Sequence, residues 1–317
     1  MLLTLVALGV GLVLAALLPA LMGLVKSYVD LWIPVVIFVC GFAATVAVVF
    51  IFAILLGFTV NQKKPIKKPS RFFFFLYNLI NSFLVLWSGA RVVLKEDVKL
   101  DPSVSYFMVV NHRSKFDTMI MSVVYRRFKP LFVSKPENFK IIMAGPAIYK
   151  SGFMSMPKDD PKGAVKTVLK AVEYLKGGRS VGICPEGTRN KKNRNLLPFK
   201  NGCFKIPMRA RAPIAVFTIE GTQKIHKNFP FVKTLVYLDL IKVITPEEYE
   251  GLTTGELGNR VRQMMLDNID TYGLTPDSVI LAEKQDVINA ENERLYWERR
   301  KAENEAKQRA AELGEDL

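Results

Sequence analysis

The 317 residues are half hydrophobic, and 44 Lys and Arg outweigh 29 Asp and Glu for a formal net charge of +15. A mean hydropathy of +0.18 at that charge points to a membrane protein rather than a soluble one. Three cysteines (Cys40, Cys184, Cys203) form an odd set without metal-ligand spacing, which fits a reducing compartment and not a disulfide framework.

Met1 to Val25 carries no charged side chain, long enough for a helix to cross a bilayer core of about 30 Å. No Lys or Arg precedes it, so a spanning segment fits better than a signal peptide. After the turn Lys26 to Asp30, a second uncharged run extends from Leu31 to Val60, longer than a perpendicular span needs; it tilts, kinks (Pro34 is available) or begins outside the core. Residues 1–60 therefore read as a transmembrane helical hairpin. Lys63, Lys64, Lys67, Lys68 and Arg71 follow directly, and this excess places that side in the cytoplasm, as in a bacterial inner membrane or its equivalent. Phe72 to Trp87 is uncharged, aromatic and only 16 residues long, which suits an interfacial helix or a buried core helix equally. Residues 61–104 are thus a basic juxtamembrane segment with one further helix.

Short apolar strands then alternate with helical patterns. Strands are expected at Ser105 to Val110, Leu131 to Ser134, Ser180 to Cys184, Pro213 to Ile219 and Leu235 to Val243. Helices are expected at Ser114 to Arg127 and from Asp160-Pro161 to Lys176, the latter closed by Gly177-Gly178. Ala164, Val165, Val168, Leu169, Val172 and Leu175 form the second helix's apolar stripe. This alternation predicts an α/β domain over 105–245 with a mostly parallel sheet flanked by helices. Residues 246–317 form a helical, charged extension. Charge divides accordingly: residues 61–245 hold 34 Lys/Arg against 11 Asp/Glu, and residues 246–317 hold 9 against 17. A basic body behind membrane segments suits anionic lipids, phosphorylated substrates or acidic carriers. No nucleic-acid recognition motif is present, and the membrane segments argue against that partner.

Only two histidines are available for base chemistry near neutral pH. His226 lies in a polar loop. His112 closes the apolar run Tyr106 to Val110, with Asp117 five positions on where a helix begins. The two meet if the chain turns at Arg113-Ser114, and a neutral imidazole beside a carboxylate is a general base. Ser114-x-x-Asp117 also matches a capping box, in which case Asp117 only supports the helix start. A second stretch, Ile183-Cys184-Pro185-Glu186-Gly187-Thr188-Arg189, runs a strand into a turn ending in a guanidinium, an arrangement suited to phosphate. A surface loop with a solvated arginine has the same pattern, and Lys191, Lys192 and Arg194 continue the charge.

Taken together, Asn111-His112-x-x-x-x-Asp117 and Glu186-Gly187-Thr188-Arg189 resemble two motifs of the glycerolipid acyltransferases, of the 1-acylglycerol-3-phosphate acyltransferase type. Phe199-Lys200-Asn201-Gly202 and Ala212-Pro213-Ile214 are similar to two later motifs, so the likeness covers about residues 105–222. It implies an acyltransferase with His112 as base on the sn-2 hydroxyl of a lysophosphatidate and Asp117 orienting it. Arg189 would hold the phosphate in a site shaped by Glu186, Gly187 and Thr188. The acyl group would come from acyl-CoA or acyl carrier protein without a covalent acyl-enzyme, a metal or another cofactor. One departure concerns Gly152-Phe153-x-x-x-x-Lys158, where the family often has arginine; lysine keeps the charge and loses the fork. Acylation of another lysophospholipid or an aminolipid is the neighbouring expectation. A non-catalytic membrane-anchored module binding anionic lipid is the expectation from another class, and the absence of a Gly-x-Ser-x-Gly elbow argues against a serine hydrolase.

Overall fold

The structure is a computed structural model describing residues 1–269 apart from 67, 97–98, 158–159 and 191–195. Lys158, Lys191, Lys192, Arg194 and the extension beyond 269 lie outside the described residues.

The two uncharged runs form α1 (Leu2–Met22) and α2 (Trp32–Phe58), each long and apolar enough to cross a membrane. At about 1.5 Å per residue they are roughly 31 and 40 Å long. Pro34 falls in the first turn of α2, where its missing N–H breaks no helical hydrogen bond. The helices close on each other through small residues: a Cβ on Gly11 would lie 2.9 Å from the Phe38 carbonyl oxygen, and one on Gly41 3.3 Å from the Gly11 Cα. Most of their outer surface is exposed Leu, Val, Ile and Phe.

The aromatic run becomes α3 (Arg71–Trp87), started by Ser70, whose hydroxyl accepts the Phe73 N–H. One side lies along α2, with Phe83 ringed against Phe50 (6.0 Å) and Trp87 against Phe42 (5.3 Å). Tyr77 and Val85 enter the main core, while Phe72, Phe75, Leu86 and Trp87 remain about half exposed. The helix joins hairpin to domain, and its Tyr77 and Val85 meet the buried-core expectation.

The domain is a seven-stranded sheet in the order β1-β7-β6-β2-β5-β3-β4, with β1 (Ala90–Glu96), β2 (Phe107–Val110), β3 (Leu131–Ser134), β4 (Met154–Ser155), β5 (Val181–Ile183), β6 (Ile214–Glu220) and β7 (Thr234–Ile244). All neighbours pair parallel except β6 with β7. β2 sits between β5 and β6 with every residue buried, which is why it reads as an unbroken apolar run. Around the sheet lie α4 (Phe116–Val124), α5 (Ala144–Ser151), α6 (Pro161–Lys176), α7 (Lys205–Ala210), the single turn α8 (Ile225–Asn228) and α9 (Thr254–Ile269). Asp160 caps α6 by accepting the Gly163 N–H at 2.9 Å. Its inward face is turned from the expected stripe: Val165 and Leu169 stay half exposed, and Thr167, Ala171 and Tyr174 are buried. The Thr167 hydroxyl donates to the Ser155 carbonyl at 2.6 Å, a polar contact with β4 that hydropathy alone does not register. α9 buries Leu257, Val261, Met265 and Ile269 against the same core, so the domain continues past residue 245.

Candidate active site

Parallel strands deliver their C-terminal ends to one edge of the sheet, where open α/β sheets bind ligands. The adjacent ends of β5, β2 and β6 bring the candidate residues together. Where β2 stops, Asn111 continues its pairing through a side chain: its amide donates to the Ile219 carbonyl (3.0 Å) and accepts the Ile219 N–H (2.7 Å). That fixes the chain before His112.

The backbone turns at Arg113-Ser114 and brings His112 Nδ1 to 2.8 Å from Asp117 Oδ2. The same oxygen accepts the backbone N–H of Arg113 and of Ser114, each at 2.7 Å. The other oxygen accepts the Thr222 hydroxyl at 2.5 Å. Four donors therefore converge on a carboxylate with no exposed surface. Since Asp117 can only accept, the imidazole donates through Nδ1, and Nε2 is left as the acceptor of a 20% exposed side chain. The Ser114 N–H on Asp117 is half of a capping box. The other half is missing, because Ser114 Oγ accepts from Phe116 and not from Asp117. Starting α4 and orienting His112 are thus one arrangement.

Glu186, 3% exposed, reaches the same place from β5. One carboxyl oxygen accepts the His112 backbone N–H (2.7 Å) and the other the Leu197 N–H (2.9 Å). The Asn190 N–H closes the loop by donating to the His112 carbonyl at 2.6 Å. The Glu-Gly-Thr-Arg stretch is therefore bonded to the histidine's own peptide groups. Gly187 takes φ 63°, a left-handed turn residue. Thr188 is exposed and accepts from Lys135 Nζ at 3.1 Å. Arg189 follows, half-buried.

Four residues given no role in the sequence argument belong to this cluster. Arg113 donates to both oxygens of Glu220 at 2.9 Å, in a largely buried pair at the end of β6. Thr222 holds Asp117, and Lys135 holds Thr188. One signal was available: Glu220-Gly221-Thr222 repeats the Glu-Gly-Thr of 186–188, each at the end of a strand flanking β2.

Burial pushes the Glu186 carboxyl up to about 7, against the lowering effect of the two N–H groups it accepts, while the nearby Asp117 raises it further. Burial likewise raises Glu220 despite Arg113. The native state holds the Glu186 proton more tightly than the unfolded chain does. Its contribution to stability is therefore full below about pH 4.5 and is lost as pH rises through 7. Across that window the folded protein should lose up to about 3 kcal/mol from this group. Thermal unfolding in detergent should show a wild-type Tm falling from pH 5 to 7.5 more steeply than that of Glu186→Gln; equal slopes would remove Glu186 as the source.

Residues 91–220 match the model of the family described as Acyltransferase. Over those residues the chain is similar to an acyltransferase domain. A 1-acyl-sn-glycerol-3-phosphate acyltransferase of Saccharomyces cerevisiae is 27% identical over 199 residues, 61% of this chain and 64% of that protein. The human 1-acyl-sn-glycerol-3-phosphate acyltransferase alpha is 30% identical over 185 residues, 56% of this chain and 63% of that protein. A chloroplastic 1-acyl-sn-glycerol-3-phosphate acyltransferase of Brassica napus is 36% identical over 117 residues, 37% of this chain and 33% of that protein. The matches to these three curated relatives thus span from a third to just under two thirds of their length. The crystal structure of the 1-acyl-sn-glycerophosphate acyltransferase PlsC of Thermotoga maritima superposes with a TM-score of 0.54 at 21% identity, over 73% of this chain and 92% of that one, and shares its fold.

Proposed function

We propose that the protein moves an acyl group from a thioester to the sn-2 hydroxyl of a 1-acylglycerol-3-phosphate and forms phosphatidate. The observation that carries this reading is the His112–Asp117 contact with Glu186 bonded to the histidine's own N–H. His112 Nε2 takes the proton of the acceptor hydroxyl as its oxygen attacks the thioester carbonyl. The imidazolium, held against Asp117, returns that proton to the thiolate that leaves when the tetrahedral intermediate collapses. The attacking group is the acceptor's own hydroxyl, so no covalent acyl-enzyme or metal is needed. The acyl donor is acyl-CoA or an acyl carrier protein, both acidic and suited to the basic body.

Arg189 and the neighbouring Lys135 and Thr188 form the phosphate end of the acceptor site, with Gly187 shaping the turn. Lys158 is assigned to the same end. A guanidinium–phosphate fork is worth about 1.5–3 kcal/mol per charged hydrogen bond. Arg189→Ala should accordingly lower kcat/KM for lysophosphatidate by about 10- to 100-fold, mainly through KM, with Arg189→Lys in between. An acceptor lacking phosphate should be indifferent to both changes. Equal loss with both acceptors would place Arg189 in the scaffold.

Residues 1–60 are the membrane hairpin, 61–104 supply α3 and the edge strand β1 of the acyltransferase domain, and 246–317 are a charged extension whose α9 packs on that domain's core. The Lys/Arg-rich flank of α2 sets the acyltransferase domain on the cytoplasmic face of a membrane containing anionic lipids, with no nucleic-acid partner. Labelled acyl-CoA and acyl carrier protein, offered with lysophosphatidate to the protein in liposomes, test the whole reading. Phosphatidate is the expected product. No transfer from either donor by folded protein would overturn the reading.

A further inference from the structure

We propose that Phe229, Phe231 and Val232 form a second membrane contact, a rigid apolar finger that enters the interface of an anionic bilayer beside the hairpin. Phe231 is 93% exposed, Val232 58% and Phe229 54%. Single exposed hydrophobes are ordinary, but three within four residues at one tip are not. The tip is built firmly from below. Ile225 is buried, the Val232 N–H donates to the Asn228 carbonyl (2.8 Å), and the Asn228 amide donates to the Thr234 hydroxyl (2.9 Å). The fold therefore presents these side chains outward while pinning their base.

Charge names the occupant. Residues 221–238 contain Lys224, Lys227 and Lys233, all exposed, and no carboxylate. Apolar tips ringed by lysines suit an interface with anionic headgroups above acyl chains. Position agrees. The Thr234 N–H donates to the Gly89 carbonyl at 3.0 Å, two residues past the half-exposed Trp87, whose ring packs on Phe42 of α2. The finger is continuous with the end of α3 that lies against the hairpin. Its base begins at Thr222, which holds Asp117. Docking the finger would therefore fix the His112 edge of the sheet relative to the surface from which a lipid acceptor arrives.

The inference rests on the membrane reading of α1 and α2, so its test separates the two. Phe231→Cys in a Cys40→Ala background, carrying an environment-sensitive fluorophore, is reconstituted as the full chain in phosphatidylglycerol-containing vesicles, with Cys40→Ala alone as the labelling blank. Flotation with the vesicles reports the hairpin. Quenching of the probe by lipids labelled near the headgroup, with shielding from aqueous iodide, is the expected result. A floating protein whose probe is quenched by iodide and not by lipid overturns the finger and leaves the hairpin standing. Shielding from both quenchers overturns the lipid assignment in favour of a protein contact. Protein that does not float overturns finger and hairpin together. Phe231→Asp should raise the apparent KM for vesicle-borne acceptor about tenfold, for a ring's worth of lost burial, while leaving turnover in detergent micelles unchanged. An unchanged vesicle KM counts against the finger.

Discussion

His112→Ala is expected to lower acyl transfer by about 10²- to 10⁴-fold, the usual value of a positioned general base. Its fold should survive. The side chain is partly exposed and among the described residues bonds only to Asp117, whose carboxylate keeps the Arg113, Ser114 and Thr222 donors. Loss of that bond costs on the order of 1 kcal/mol. A nearly unchanged Tm with collapsed kcat is therefore the signature of a base. A binding module would give the opposite pattern, with lipid retention indifferent to His112→Ala and sensitive to salt, since exposed charges are screened. Wild-type transfer by the variant would end the base mechanism.

The hairpin was legible because uncharged runs of 25 and 30 residues admit few other readings. The limits of α6 were legible for local reasons too: Asp160-Pro161 starts a helix and Gly177-Gly178 ends one. β1 was not. Arg91, Lys95 and Glu96 interrupt its apolar pattern because it is an edge strand whose only partner among the described residues is β7, and an edge tolerates charge where a central strand does not. The approach of His112 to Asp117 could be anticipated from five residues of chain. Glu220 and Thr222 lie more than a hundred residues further on and reach the same place only because β6 neighbours β2. Strand order is a property of the whole sheet, and no local pattern around Glu220 states which strand end it will face.

Asp117→Asn distinguishes charge from geometry at this site. Asp117 Oδ2 takes three donors, two of them fixed backbone N–H groups. An asparagine places its carbonyl oxygen there, because its NH₂ would oppose those N–H groups. The Nδ1–H of His112 then keeps an acceptor, and the tautomer is preserved. The NH₂ falls where Oδ1 was, and Thr222 meets it by turning its hydroxyl to accept. What is lost is the negative charge that stabilises the imidazolium, so kcat should fall by about 10²- to 10³-fold with little change in Tm. That is less than the roughly 10⁴-fold seen where such a substitution also inverts the tautomer. Asp117→Ala should go further on both counts. It leaves the Arg113 and Ser114 N–H groups without their acceptor in a buried site and should destabilise by about 2–4 kcal/mol. Thr222→Val added to Asp117→Asn orphans the new NH₂, so the pair should be less stable than Asp117→Asn alone, whereas Thr222→Ser should behave as wild type. An Asp117→Asn enzyme with full activity would show that the carboxylate serves only to start α4, and the charge would have no part in the proton transfer.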